Sequence, residues 1–280
     1  MIRRKLFVLC FLAFTACVLG MRLTAHADAY EVFKGLEGTL KISGGTAHIP
    51  VMQALAQEIM TRYPSIRISI AGGGSGVGIK QVGEGLVDIG NSGRKPTDEE
   101  VATYGLKVYC WAMDGVAAVV HPKNPVKSLT SQQLQDIFSG KILNWKEVGG
   151  PDQAIHVVTR DEASGTREVF WEKALQKGAI RKDADVVPSN GAMKTAVGTD
   201  PAAIGYMSVG YVDETVRALA LDGVEAGVQT VLSGKYPVAR GLYSNTKGEP
   251  SPLAKAFLDL LYTPEGQAVI AAKGYIPVAK

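Results

Sequence analysis

From residue 38 onward this chain alternates short apolar runs with stretches of helical periodicity, and it joins them through glycine-rich turns. Such alternation restricts the fold to an α/β architecture, a parallel or mixed sheet covered by helices. Residues 38–42 read as a strand and 49–63 as an amphipathic helix stopped by Pro64. Residues 66–71 form the next strand, with Ile66, Ile68 and Ile70 on one face and Arg67 and Ser69 on the other. A short glycine-rich helix over 76–85 and a buried strand over 87–91 follow. Further on, 116–121 is a continuous apolar strand and 131–139 a helix capped by Thr130 or Ser131. Residues 155–159 form a strand that delivers Arg160, and 166–176 an amphipathic helix ended by Gly178. Residues 203–207 and 239–243 read as strands, and 252–262 and 264–273 as helices.

The first 27 residues stand apart from this pattern. Arg3, Arg4 and Lys5 precede an almost unbroken apolar run from Leu6 to Leu19, and Ala25-His26-Ala27 offers a small-residue cleavage site. That is the layout of a secretory signal peptide, and it predicts a periplasmic protein. A retained membrane anchor is the rival reading, for which the apolar run is short. Lipid attachment at Cys17 is another, although Phe14 suits it poorly. Cleavage would remove Cys10 and Cys17, leaving Cys110 and no internal disulfide, so the fold must rest on its apolar core. It would also remove four of the 30 basic residues and none of the 27 acidic ones, changing the formal charge from +3 to near −1. A basic surface for nucleic acid is thereby excluded. Residues 28–280 suffice for one large domain or two smaller ones, and with no Pro- or Ser-rich linker, two lobes would be joined by ordered chain.

Three segments set Ser or Thr among glycines where a helix begins: Ser43-Gly44-Gly45-Thr46, Gly73-Gly74-Ser75-Gly76 and Ser164-Gly165-Thr166. A helix start leaves backbone N–H groups without partners and carries partial positive charge. Glycine lets that backbone approach a ligand, and the hydroxyls add donors. Each segment also has a plainer reading as a capped helix or a tight turn, which is the better one only for 43–46 taken alone. Together with Arg160, whose planar fork suits two oxyanion oxygens, they predict a pocket for a small anion such as phosphate. Glu162, two residues on, is placed to orient Arg160 by a salt bridge. The segment 71–78 fails the P-loop pattern, because Ile79 follows Gly78, and fails the nucleophile-elbow pattern, because Val77 stands where glycine is needed. No zinc-like spacing joins His48, His121 and His156, so neither a metal site nor a cofactor is expected, and no catalytic residue is assigned.

The order of these motifs resembles that of the phosphate-binding proteins of ABC importers. Gly45-Thr46 precedes Gly74-Ser75-Gly76-Val77-Gly78, then Asp88-Ile89-Gly90-Asn91-Ser92 and Arg160 to Thr166. Asp114-Gly115-Val116, His121-Pro122-Lys123-Asn124-Pro125, Asn144-Trp145 and Ala203-Ile204-Gly205-Tyr206 extend the likeness over nearly all of 38–278. The resemblance implies a two-lobed type II periplasmic-binding-protein fold, mixed sheets flanked by helices with two hinge crossings. Lobe 1 would be 28–119 plus 241–280, lobe 2 120–240, and the crossings would lie near 116–121 and 238–242. It implies that Thr46, Ala47, Ser75, Arg160, Ser164, Gly165 and Thr166 hold inorganic phosphate, with Gly45, Gly76, Ser92, Gly93 and Arg94 around them. It further implies a monomer that serves a membrane permease. One departure stands out: where the family's best-known form carries an aspartate that accepts a hydrogen bond from protonated phosphate, this chain has Gly93, followed by Arg94. Sulfate, molybdate, a sensing role and an exported phosphatase therefore remain alternatives.

Overall fold

The structure, a computed structural model, describes residues 28–280, so the segment read as a signal peptide, with Cys10 and Cys17, lies outside the described residues. The first half runs β1 (Gly38–Gly44), α1 (Ile49–Arg62), β2 (Ile66–Gly73), α2 (Ser75–Gly83), β3 (Ile89–Ser92), α3 (Asp98–Tyr104) and β4 (Leu106–Val120). Next come β5 (Ser128–Leu129), α4 (Ser131–Ser139), β6 (His156–Arg160), α5 (Gly165–Lys173), β7 (Asp185–Val187), α6 (Asn190–Thr199) and β8 (Ala203–Ser208). The chain closes with β9 (Arg217–Ala218), β10 (Ala220–Leu221), α7 (Val228–Leu232), β11 (Ala239–Lys247), α8 (Pro252–Leu260), α9 (Pro264–Ala272) and β12 (Ile276–Pro277).

The main sheet has the order β2-β1-β3-β11-β4-β8-β6-β7. At one end β1 pairs parallel with β2 and β3, and at the other β6 pairs parallel with β7 and β8. Antiparallel β11 and β4 join the two parallel groups. β4 belongs to both: its residues 106–115 pair with β11 and its residues 116–120 with β8. The cores divide at the same place. Trp111 and Ala112 pack with Leu40, Ile42 and Phe257, whereas Val116 and Val120 pack with Phe138, Trp145 and Tyr206.

This division explains what the sequence hid. The second half of β4 is apolar on both faces, since Ala117 and Val119 meet Met193 and Val197 of α6, and so it reads as a strand. The first half carries Lys107, Tyr109 and Cys110 on partly exposed positions, which breaks the pattern, and it was not expected. Nor was α6, whose two glycines and threonines are poor helix formers; Ser189 caps it through Ala192 N–H. At α4 the cap is Thr130, in a capping box with Gln133.

Glycines set how closely α2 approaches the sheet. A Cβ on Gly78 would lie 2.4 Å from the Asn91 carbonyl oxygen, and one on Gly90 2.2 Å from that of Gly78. Gly44, at φ +114°, completes the contact. The helix backbone thus lies directly on β1 and β3, which fixes where their carboxyl ends point. Gly76 differs, because nothing would come closer to its Cβ than 3.7 Å. Gly78→Ala should therefore lower stability by about 1–3 kcal/mol through overpacking. Gly76→Ala should be neutral or stabilising by up to about 1 kcal/mol. Denaturant midpoints of the two variants, compared with the parent, check this contrast.

Candidate anion-binding site

Parallel strands of an α/β sheet present ligands at their carboxyl ends, where the topology changes direction. Here β1, β2, β3 and β6 all deliver their following turns to one small pocket. Gly45, Thr46 and Ala47 come from the turn after β1, Gly74 and Ser75 from the β2–α2 junction, and Gly93 from the end of β3. Arg160 ends β6, Ser164, Gly165 and Thr166 open α5, and Arg240 rises from β11.

Arg160 is 2% exposed. One terminal nitrogen, Nη2, donates to the Pro188 carbonyl at 2.9 Å, and the backbone N–H is held by the Tyr206 hydroxyl at 3.1 Å. Its Nε and Nη1 are buried without a protein partner. Burial pulls the guanidinium pKa below its ordinary value, against the charge of Asp161. A buried cation with two unmatched donors is costly unless an anion sits against it.

The hydroxyls are oriented by the protein itself. Thr46 Oγ1 accepts from the backbone N–H and the side-chain amide of Asn190, at 3.2 and 2.9 Å. Ser75 Oγ accepts from Gly93 N–H at 2.8 Å, Ser164 Oγ from Arg167 N–H at 3.2 Å, and Thr166 Oγ1 from Arg240 Nη1 at 3.0 Å. Each oxygen is thus engaged as an acceptor and keeps its own proton to donate. At the start of α5 the N–H groups of Gly165 and Thr166 precede the first intrahelical acceptor and add to the donors.

Arg240 itself is fixed by a bidentate pair, Nε and Nη2 to Asp114 Oδ2 at 2.9 and 2.8 Å, while Ser208 Oγ donates to Asp114 Oδ1 at 2.9 Å. Burial pushes the Asp114 carboxyl up and the guanidinium pulls it down. His48, wholly buried behind the pocket, is driven down to about 3 by desolvation, so it stays neutral; its two ring nitrogens face the carbonyls of Gly45 and Tyr243, and the single ring N–H donates to one of them.

The structure therefore gathers Thr46, Ala47, Ser75, Arg160, Ser164, Gly165 and Thr166 around one cavity, with Gly45 and Gly93. Four expected neighbours lie elsewhere. Glu162 is exposed and makes no ion pair with Arg160; the Pro188 carbonyl positions the guanidinium instead. Gly76 N–H is taken up by the Ala163 carbonyl at 3.1 Å. Ser92 accepts from the Asn245 side chain. Arg94 is bound to Glu100 at 2.7 Å and Glu168 at 2.8 Å, so its charge is neutralised outside the pocket. Gly74 and Arg240 were not foreseen as site residues. The signal for Arg240 was a single cation inside the apolar run Val238-Ala239-Arg240-Gly241-Leu242, with Asp114 as a lone acid in another.

A family model described as a PBP superfamily domain matches residues 34–265. The phosphate-binding protein PstS of Bacillus subtilis is 39% identical over 257 residues, 91% of this chain and 85% of the relative. That of Pseudomonas aeruginosa PAO1 is 31% identical over 277 residues, covering 89% and 86%. Among solved structures, a phosphate ABC transporter substrate-binding protein of Clostridium perfringens with bound phosphate superposes with a TM-score of 0.81 at 39% identity, covering 86% of this chain and 100% of that one. An ABC-type phosphate transport receptor of Vibrio cholerae gives 0.68 at 33% identity, covering 85% and 99%. With its mixed sheet flanked by helices, the fold is the two-lobed type II periplasmic-binding-protein fold, and the chain belongs to the PBP superfamily and, within it, to the family of the PstS phosphate-binding proteins.

Proposed function

We propose that this chain is an extracytoplasmic solute-binding protein that captures inorganic phosphate in the pocket between its two lobes and delivers it to the permease of an ABC importer. The observation that carries the reading is Arg160, buried with two guanidinium nitrogens unmatched and surrounded by hydroxyl and N–H donors from both halves of the sheet. The pocket is small and lined by N–H, hydroxyl and guanidinium donors, which suits one small ion rather than a larger ligand. The relatives named as phosphate-binding proteins, one of them with phosphate bound, favour phosphate as the ion. The leader read in residues 1–27 supports export.

The lobes, 28–119 plus 241–280 and 120–240, move about the two strand crossings in this reading. Binding and closure are then linked, because the donors of both lobes share a partner only when closed. Micromolar affinity needs about 8 kcal/mol. Hydrogen bonds to a charged group contribute about 1.5–3 kcal/mol each, so a few well-placed donors suffice after desolvation.

Arg160→Ala should weaken phosphate binding at least about tenfold, near 1.4 kcal/mol, with the circular dichroism spectrum retained. Calorimetric titration of the ligand-stripped protein measures it, and an unchanged affinity removes Arg160 from the site. In small-angle scattering, phosphate should reduce the radius of gyration of the stripped protein; the same radius with and without saturating phosphate would sink the hinge reading.

A further inference from the structure

We infer that the pocket takes its anion as the dianion and separates phosphate from sulfate only weakly, with Gly93 and Arg240 as the residues that set this behaviour. The inference rests on the phosphate-capture reading above and specifies which ionic form is captured.

The pocket lining contains no carboxylate. Asp114, the nearest acid to it through Arg240, has Oδ2 occupied by two guanidinium nitrogens and Oδ1 by the Ser208 hydroxyl. The four hydroxyls that face the cavity each accept at least one bond from the protein, and Thr46 accepts two, so they are arranged to donate. A protonated oxygen on the ligand needs an acceptor, and it finds at most the second lone pair of a hydroxyl already committed as a donor. A fully ionised oxygen meets donors on every side.

Charge points the same way. Arg160 makes no ion pair among the described residues, with the nearby Asp161 charge acting on it, and Arg240 shares its charge with Asp114, so a cation is left to meet the ligand before the helix starts are added. Both features favour a dianion over a monoanion. Gly93 lines the pocket without a side chain, and that missing side chain is what admits Arg240. A Cβ there would stand 2.6 Å from Arg240 Nη1, whose guanidinium also donates to the Gly93 carbonyl at 3.3 Å.

Sites that discriminate by a required hydrogen bond reject the analogue lacking it by about 10⁴-fold or more, whereas sites without such a bond manage about 10². Sulfate carries no proton to be read, so its affinity should lie within about 100-fold of that of phosphate. The groups at the site that titrate or carry charge are Arg160, Arg240, Asp114, Asp161 and Tyr206 (both acting on Arg160), Tyr211 (its hydroxyl on the Thr46 carbonyl), Tyr275 (on the Ala47 carbonyl) and His48 behind Gly45. Sulfate keeps its charge across the working range and so reports the protein's own titration.

The test is competition calorimetry of the ligand-stripped protein with inorganic phosphate and with sulfate, at about pH 5.5 and about pH 8.5, on either side of the second ionisation of phosphate. The ratio of phosphate to sulfate affinity should rise at least about tenfold from the lower to the higher pH, as the monoanion gives way to the dianion. Sulfate should displace phosphate within about 100-fold at both. A ratio independent of pH, or sulfate excluded by more than about 10⁴-fold, overturns the inference while leaving phosphate capture intact. No binding of either anion overturns the capture reading itself. Gly93→Asp supplies the acceptor while shifting the Arg240 guanidinium that Asp114 and Thr166 hold; it should lower sulfate affinity at least about tenfold relative to phosphate. The parent ratios decide the question whether or not that variant folds.

Discussion

The buried pair between Arg240 and Asp114 is the contact on which the rest of the architecture converges. The two residues face each other in register on β11 and β4, the antiparallel strands that join the two parallel groups of the sheet. From there the guanidinium reaches the Gly93 carbonyl of the first half and the Thr166 hydroxyl of the second, while the carboxylate holds Ser208 at the end of β8. Removing two charges from water costs several kcal/mol per ion, and only close geometry with the remaining hydrogen-bonding positions filled offsets it. Here both carboxylate oxygens and all three guanidinium nitrogens are engaged. The pair therefore marks the junction of the two parallel groups of the sheet and presents one edge of a cation to the pocket.

Around it, the site is made by backbone rather than by reactive side chains. Close packing of α2 through Gly78, Gly44 and Gly90 sets the strand ends of the first half, and the end of β6 brings Arg160 beneath the start of α5. What results is a ring of donors held by second contacts, such as Gly93 N–H on Ser75 and Asn190 on Thr46. Donors fixed before the ligand arrives need little reorganisation to meet the charge of a small ion.

Much of this was legible in the chain. The glycine and hydroxyl segments at 43–46, 73–76 and 164–166 announced themselves because local turn chemistry is written in local sequence. They do line one pocket, and Arg160 lies among them. Arg240 was harder to see, since its role depends on the pairing of β11 with β4, a contact between residues 126 positions apart. Glu162 misled for the opposite reason. Proximity in sequence suggested a salt bridge, but the turn after β6 leaves it in solvent and the Pro188 carbonyl takes its place. The helix α6 was missed because its glycines mask the Met193 and Val197 spacing, which only the packing of β4 makes meaningful.

In the proposed hinge reading, the same contacts bear on how closure depends on the ion. Several bonds cross between the halves with protein groups alone: Asn190 to Thr46, Tyr211 to the Thr46 carbonyl, Gly76 to the Ala163 carbonyl, and Arg94 to Glu168. Neutral hydrogen bonds of this kind contribute about 0.5–1.5 kcal/mol each and a partly exposed ion pair about as little. Closing without an anion would also bury the unmatched charge of Arg160, at a cost of several kcal/mol. The two are of similar size, so the protein-only contacts bring the closed form near balance without securing it. An anion seated on Arg160 removes the opposing cost and adds its own bonds, which makes the ion, rather than any latch, the element that decides the equilibrium.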